Sequence, residues 1–269
     1  MRRALVVISL SSLIYPLSGV LVGMLVGLTG VGGGSLMTPL LLAFGVHPTT
    51  AVGTDLLYAA ATKTVGTGVH HAGGTVDWKI VRRLSMGSVP MTALSLFVLS
   101  HIGTQSPAMT EAIKLILGIG LLLTAVSIFL RRHLADFVAR RFGAPSDGRA
   151  AWLTVLAGAI LGVLVSLSSV GAGAVGVTVL ILLYPELPLA RIVGSDIAHA
   201  VPLTLIAGAG HWLLGDVNPS LLGALLCGSI PGILAGSWLA RRLPEYGLRP
   251  ALATVLLLVG ANLVRVRLF

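Results

Sequence analysis

Charge is what this sequence has least of. Only 10% of its 269 residues are Asp, Glu, Lys or Arg, against roughly 25% in soluble domains, so water is not the main solvent of this chain. Acids are the scarcer sign, 9 against 18 Lys and Arg, for a formal net charge of +9. Such an excess points to nucleic acid only when it is clustered on a soluble surface. Here the basic residues sit mostly at the ends of apolar segments, where lipid headgroups can meet them, so the partner is a bilayer and nucleic acid is not expected. Cysteine is nearly absent: Cys227 stands alone in an apolar run, which excludes an intrachain disulfide and a cysteine metal site. Nor is there a polar stretch large enough to form a soluble domain.

What is present is apolar sequence in long runs. The chain is 55% hydrophobic with a mean hydropathy of +0.98. Runs long enough to span occur at about 4–28, 48–69, 84–102, 112–130, 151–168, 197–214, 221–240 and 250–268, a bilayer requiring ~20 residues. Two shorter runs, 36–44 and 174–184, are half that length. The expected fold is therefore an all-α polytopic membrane protein with about 8–10 membrane segments, placed in the cell (inner or plasma) membrane. Arg2 and Arg3 precede an apolar run, but that run passes 20 residues with no small-residue cleavage site, which reads as a retained helix rather than a signal peptide.

The chain also contains itself twice. Residues 19–34 read GVLVGMLVGLTGVGGG and residues 158–173 read GAILGVLVSLSSVGAG. Adding 139 carries Gly19 to Gly158, Gly23 to Gly162, Gly32 to Gly171 and Gly34 to Gly173. After a two-residue insertion the offset is 141, which carries Gly53-Thr54-Asp55 to Gly194-Ser195-Asp196, His70 to His211, Gly74 to Gly215, and Gly87-Ser88-Val89-Pro90 to Gly228-Ser229-Ile230-Pro231. A period near half of so apolar a chain indicates a duplicated membrane bundle. We divide it into a first transmembrane repeat (1–130), a basic cytoplasmic linker (131–149) and a second repeat (150–269).

The loop charges of the two copies are swapped. Lys79, Arg82 and Arg83 make one loop basic, while its counterpart around Ser220–Ala224 carries no charge. The loop from His101 to Thr110 has only its histidine, whereas its counterpart has Arg241, Arg242 and Arg249 against Glu245. Basic short loops stay cytoplasmic, so equivalent loops face opposite sides. That predicts inverted-topology repeats with an odd number of crossings each. Five per half suffice if each short run counts as a thin or broken crossing. Both termini then lie outside, which puts Arg2 and Arg3 on the unfavoured side.

Gly30-Val31-Gly32-Gly33-Gly34-Ser35 breaks the apolar sequence just before a short run. Backbone so interrupted must be buried in protein or line a cavity when it lies in a membrane. Ser35 is placed to cap the helix that follows, whose free N–H groups then suit an anion. Ser168-Ser169-Val170-Gly171-Ala172-Gly173 is the second copy, with two hydroxyls. The competing reading, that the glycines merely allow close packing, suffices for the small-xxx-small stripe of Gly19, Gly23 and Gly27. A P-loop would need Gly-Lys-Ser/Thr after a strand, and neither is there.

Charged groups at membrane depth face a partner or a water-filled cavity. Asp55, Tyr58, Thr62, Lys63 and His70 fall within an arc of about 140° on one helix. Asp196, His199, Thr204 and His211 form the matching arc in the second copy. Lys63 has no basic counterpart, because Thr204 occupies its place. It either holds an anion or neutralises Asp55 or Asp196. Pro202 should free the carbonyl of Ala198 as a hinge or notch. His70 and His211, near segment ends, read as interfacial. No HxxxH or His–carboxylate cluster recurs in both halves, so no metal site is expected, and no cofactor.

Together, Gly30–Ser35, Pro39, Pro48, Ala51 and Gly53-Thr54-Asp55-Leu56, with Gly210-His211-Trp212-Leu213-Leu214-Gly215 and Gly228-Ser229-Ile230-Pro231-Gly232 later on, resemble the signature of the TauE/SafE sulfite exporter family of membrane permeases. The similarity runs from about residue 15 to the C-terminus. It implies movement, often export, of small sulfur-containing or carboxylated organic anions such as sulfite, sulfoacetate and related sulfonates. By position, the resemblance puts Gly30, Gly32, Gly33, Gly34, Ser35, Thr54, Asp55, Ser168, Ser169, Gly171, Gly173, Ser195 and Asp196 in the substrate lining, with Lys63 added from the polar stripe. Ala172 interrupts the glycine run of the second copy, so the two breaks need not act equally.

The leading expectation is thus a secondary anion transporter, coupled to protons, to sodium or to neither. Inside-negative potential favours anion export by ~2.3 kcal/mol per charge per 100 mV. An anion channel or an uptake permease is the near alternative. A membrane-embedded enzyme would need a nucleophile–base pair or metal site that the chain does not offer, and a purely structural role leaves the charged stripe unexplained.

Overall fold

The computed structural model describes residues 2–29, 34–103, 106–142, 145–240 and 248–268, and the description below concerns these. Each half contributes five helices. The first half gives α1 (Arg2–Thr29), α2 (Gly34–Ala43), α3 (Pro48–Ala72), α4 (Trp78–Ile102) and α5 (Pro107–Phe142). The second gives α6 (Asp147–Ser168), α7 (Ala174–Leu183), α8 (Leu189–Leu213), α9 (Pro219–Ala240) and α10 (Leu248–Leu268). No strand occurs among the described residues. Every apolar run in the sequence has become one helix, and the two short runs are the 10-residue helices α2 and α7.

Among the described residues, five segments are long and apolar enough to cross a membrane: Trp78–Ile102, Pro107–Arg131, Asp147–Ser168, Leu189–Leu213 and Pro219–Gly236. Helix α3 is as long as α4 at 25 residues, but Asp55, Lys63, His70 and His71 lower its hydropathy. Large apolar side chains such as Leu17, Val69, Phe97, Trp152, Ile160, Leu234 and Leu258 point outward and are more than half exposed. A soluble protein would not tolerate so many; a bilayer solvates them.

Local signals set the helix ends in matching places. Asp77 caps α4, accepting from the N–H groups of Lys79 (3.0 Å) and Ile80 (3.4 Å). Its counterpart Asn218 accepts from the N–H of Leu221 (3.1 Å) at the start of α9. Gly74 and Gly215 stop α3 and α8 at φ 66° and 80°, a left-handed conformation that costs glycine little. Pro202, by contrast, does not interrupt its helix: α8 is continuous from Leu189 to Leu213.

The halves interlock rather than sit side by side. Helix α1 packs on α9 and α4 on α6, while α3 pairs with α8 and α5 with α10. Exchanging the halves turns each of these pairings into another or into itself. The close approaches follow the same rule. A Cβ on Gly19 or Gly23 would strike the α9 backbone at Leu225 and Ser229; one on Gly158 or Gly162 would strike α4 at Leu84 and Ser88. Adding 141 to the α4 pair gives the α9 pair. Without a hydrophobic drive between helices in lipid, such backbone-to-backbone packing supplies the attraction.

Contact register also gives direction. Along α3, Gly53, Leu57, Gly66 and His70 meet His211, Gly208, Ile197 and Gly194 of α8, so this central pair is antiparallel. Gly118 meets Gly260 and Val264, and Leu121 meets Gly260, so α5 and α10 are antiparallel too. Pro16, Val20 and Met24 meet Gly228, Gly232 and Gly236, so α1 and α9 are parallel. The basic segment after residue 131 continues α5 to Phe142, and Asp147 at the start of α6 binds Lys79 (3.1 Å) and Arg83 (3.0 Å) of α4. The linker and the basic loop before α4 therefore lie at the same end.

Candidate functional site

The antiparallel crossing of α3 and α8 holds the polar groups of the fold, and each copy of the Gly-Thr/Ser-Asp triplet divides into distinct roles. The glycine lets the other half approach. A Cβ on Gly53 would lie 2.8 Å from the carbonyl oxygen of Asp216, and one on Gly194 would overlap that of Thr75. The hydroxyl anchors the other half's next helix. Thr54 accepts from the N–H of Asn218 (3.2 Å), and Ser195 accepts from the N–H of Asp77 (2.8 Å). These hydroxyls are thus occupied in holding α9 and α4. Only the aspartate of each triplet faces a short helix.

The two aspartates differ in their company. Asp55 Oδ2 receives the hydroxyl of Thr38, one turn into α2, and the hydroxyl of Ser169 also lies beside this carboxylate. Asp196 is pressed against α7, where a Cβ on Gly176 would overlap its Oδ1. Both its oxygens are buried without a hydrogen-bond partner. Thr178 of α7 is likewise buried with an unpartnered hydroxyl.

Lys63 bridges the halves. Its ammonium donates to the carbonyl oxygen of Ala172 in the second break at 3.2 Å, and both Asp55 and Asp196 lie within its electrostatic reach. No ion pair within 4.0 Å joins Lys63 to either. The side chain is 7% exposed, and Asp55, Asp196 and His199 are no more than 1% exposed. Ion pairing, then, does not satisfy these carboxylates.

Three residues beyond each aspartate stands a ring that meets the Gly-Ser-x-Pro motif of the other half. His199 Nε2 shares a hydrogen bond with Ser88 Oγ at 2.8 Å, and the Tyr58 hydroxyl lies beside Ser229. The pairs are equivalent by the 141-residue offset, yet one ring is a phenol and the other an imidazole whose Nδ1 is buried and unpartnered.

The second break is fully described. Helix α6 ends at Ser168, Ser169 adopts the left-handed conformation (φ 59°), and Gly171 and Gly173 take φ values of 122° and 132°. No side chain caps the N-terminus of α7 at Gly173; the Gly176 N–H is taken by Gly171 O at 3.2 Å, which leaves the N–H groups of Ala174 and Val175 to meet a ligand. Ser168 bonds locally, to Leu164 O at 2.7 Å, whereas the Ser169 hydroxyl is buried without a partner of good geometry. Unpartnered buried polar atoms are rare in native proteins. Here those of Asp55, Asp196, Ser169 and His199 accompany one buried ammonium, and lipid offers no water to satisfy them.

Residues 15–263 match the family described as Sulfite exporter TauE/SafE. The chain belongs to the TauE/SafE family. It is 39% identical over 250 residues, 92% of its length and 98% of the relative's, to a protein of Bacillus subtilis (strain 168) named "Probable membrane transporter protein YjnA". A second protein of that organism, "Probable membrane transporter protein YdhB", is 26% identical over 247 residues, covering 88% and 96% of the two chains. No solved structure matches the chain. As a TauE/SafE member with these apolar helices, it is a multi-pass membrane transporter.

Of the lining expected from sequence, Asp55, Ser169 and Asp196 come together at the crossing with Lys63 of the polar stripe, and Gly171 and Gly173 shape the adjoining break. Ser35 lies inside the first turn of α2 rather than ahead of it, because the helix already begins at Gly34; it is 3% exposed. Thr54, Ser195 and Ser168 are engaged elsewhere, as described. Gly30, Gly32 and Gly33, with Arg241 and Arg242 of the expected basic loop, lie outside the described residues. His211 is not interfacial: it is fully buried, with Nε2 2.9 Å from Ser166 O and Nδ1 3.4 Å from Asp216. Among the described residues no three His, Cys, Asp or Glu side chains group to hold a metal. Sequence reading missed Thr38, Gly176 and the Ala172 carbonyl, and gave Ser88 and Ser229 no role although it had found their duplicated motif.

Proposed function

We propose that this TauE/SafE member is a secondary transporter of small organic or sulfur-containing anions, with sulfite, sulfoacetate and related sulfonates as candidate cargo and export as the working direction. The observation that carries the reading is the buried ammonium of Lys63 among unpartnered polar atoms beside a broken helix. A small anion there receives Lys63, the Ser169 hydroxyl and the N–H groups of Ala174 and Val175 that open α7, all donors to negative oxygen. Neutral donors outnumber fixed positive charges, which suits a site that must release its cargo.

We read the halves as inverted repeats, an arrangement suited to alternating access. A two-fold exchange of antiparallel helices requires an axis perpendicular to them. The antiparallel pairing of α3 with α8 and of α5 with α10 supports reading that axis as lying in the membrane plane. The described break at 169–173 then falls toward the midplane, where transporters of inverted repeats bind substrate.

Counterflow tests the reading. The purified chain in liposomes, preloaded with unlabelled sulfite or sulfoacetate, should accumulate the matching labelled anion transiently above equilibrium, with zwitterionic taurine as the net-neutral comparison. A folded chain that gives no counterflow with either anion removes the proposal, and unitary currents in a planar bilayer would make it a channel instead.

A further inference from the structure

The two triplet aspartates are equivalent in sequence and unequal in structure, and this difference assigns them different work. Asp55 is fastened: Thr38 donates to one oxygen and Ser169 lies alongside. Asp196 has neither. Position 176 of α7 is glycine, which leaves room for the carboxyl group and offers it no donor. Its two oxygens are buried and unpartnered, and Lys63, the nearest cation, spends its hydrogen bond on Ala172.

Resting on the transporter reading above, we propose that Asp196 carries a proton that travels with the anion, so that one proton and the anion cross together. A charged carboxylate buried without a donor is costly, and a proton is the smallest ligand that removes the cost. The groups facing it fix the sense of coupling. From α3 comes Lys63, whose charge acts on Asp196 and also reaches Asp55; α7 presents only Gly176; and one turn along α8 stands His199, bound to Ser88 of α4. Lys63 is thus the one positive side chain in this set, and ionised Asp196 competes with an anion for it. A proton from the aqueous side, added to Asp196 Oδ, ends that competition and lets the anion take the ammonium and the α7 N–H groups. Loss of the anion on the far side returns the carboxylate to Lys63 and releases the proton there. Proton and anion therefore move in the same direction, outward where the internal anion concentration is high. A sodium ion in the same place would be repelled by Lys63.

Sulfoacetate is a suitable probe, because both its acidic groups are fully ionised near neutral pH and it cannot itself supply the proton. Liposomes with the full chain and an internal pH dye should alkalinise as sulfoacetate leaves, with a fixed ratio of protons to anions. In Asp196→Asn, whatever net efflux remains should leave the internal pH flat; Asp55→Asn should keep the wild-type ratio at whatever rate it supports. Wild-type counterflow and net efflux without proton movement would overturn the assignment and leave the transporter reading standing, and this arm needs no variant to fold. Proton-coupled efflux at the wild-type ratio in Asp196→Asn would also overturn it. Absence of counterflow in the wild type instead removes the transporter reading beneath it.

Discussion

Lys63 is the residue on which the two halves most depend, because it is the only buried cation of the crossing and has Thr204 as its partner in the repeat. Its hydrogen bond to Ala172 O, with a charged donor, is worth about 1.5–3 kcal/mol, and it offsets the charge of two buried carboxylates. Lys63→Met should therefore lower thermal stability in detergent as well as transport. Adding Asp196→Asn should recover more stability than adding Asp55→Asn, because Asp55 retains Thr38 after the lysine is gone. Thermal unfolding of the three variants checks the order, and equal recovery by either aspartate would mean that the carboxylates are equivalent. Neither double variant should transport, since the ammonium that meets the anion is absent from both.

At the scale of elements, the hydroxyls of Thr54 and Ser195 act as fasteners between a long helix of one half and the start of a helix in the other. Thr54→Val and Ser195→Ala should each cost about 1 kcal/mol through a lost backbone partner, with counterflow affinity unchanged. Affinity lost without stability would place them in the binding site after all. This division was invisible in sequence, where Gly53-Thr54-Asp55 read as one motif with one purpose. The helices themselves were legible, since hydropathy and turn glycines give their number, length and order. The duplication gave the equivalent positions. What sequence could not supply was the pairing across halves: nothing in Asp196 records that it faces Gly176 while Asp55 faces Thr38, because that depends on which turn of a short helix each meets. His211 misled for the same reason. Its place near a helix end suggested water, but the loop from the end of α8 folds back and buries it against Asp216 and Ser166 O.

For the whole molecule, the antiparallel pairs predict that equivalent positions open to opposite sides. Lys79 and Ser220, separated by the repeat offset of 141, should react from opposite faces when each is replaced by cysteine in a Cys227→Ala background. Lys79, which binds Asp147 together with Arg83, should be the cytoplasmic one. Impermeant maleimide on intact cells and on inverted vesicles reads this directly, and labelling of both from one side would remove the inverted topology. The pairing of α1 with α9 and of α4 with α6 carries a consequence for biosynthesis. When α1 leaves the ribosome, the helix it must pack on has not been made, and the polar face of α3 waits in the same way for α8. The first five helices enter the bilayer as an unfinished set, their glycine grooves filled by lipid, and assemble only as the second half arrives and displaces it. Stalling the nascent chain before Pro219 should therefore leave α1 exposed to proteases and to membrane chaperones, however completely it has been inserted.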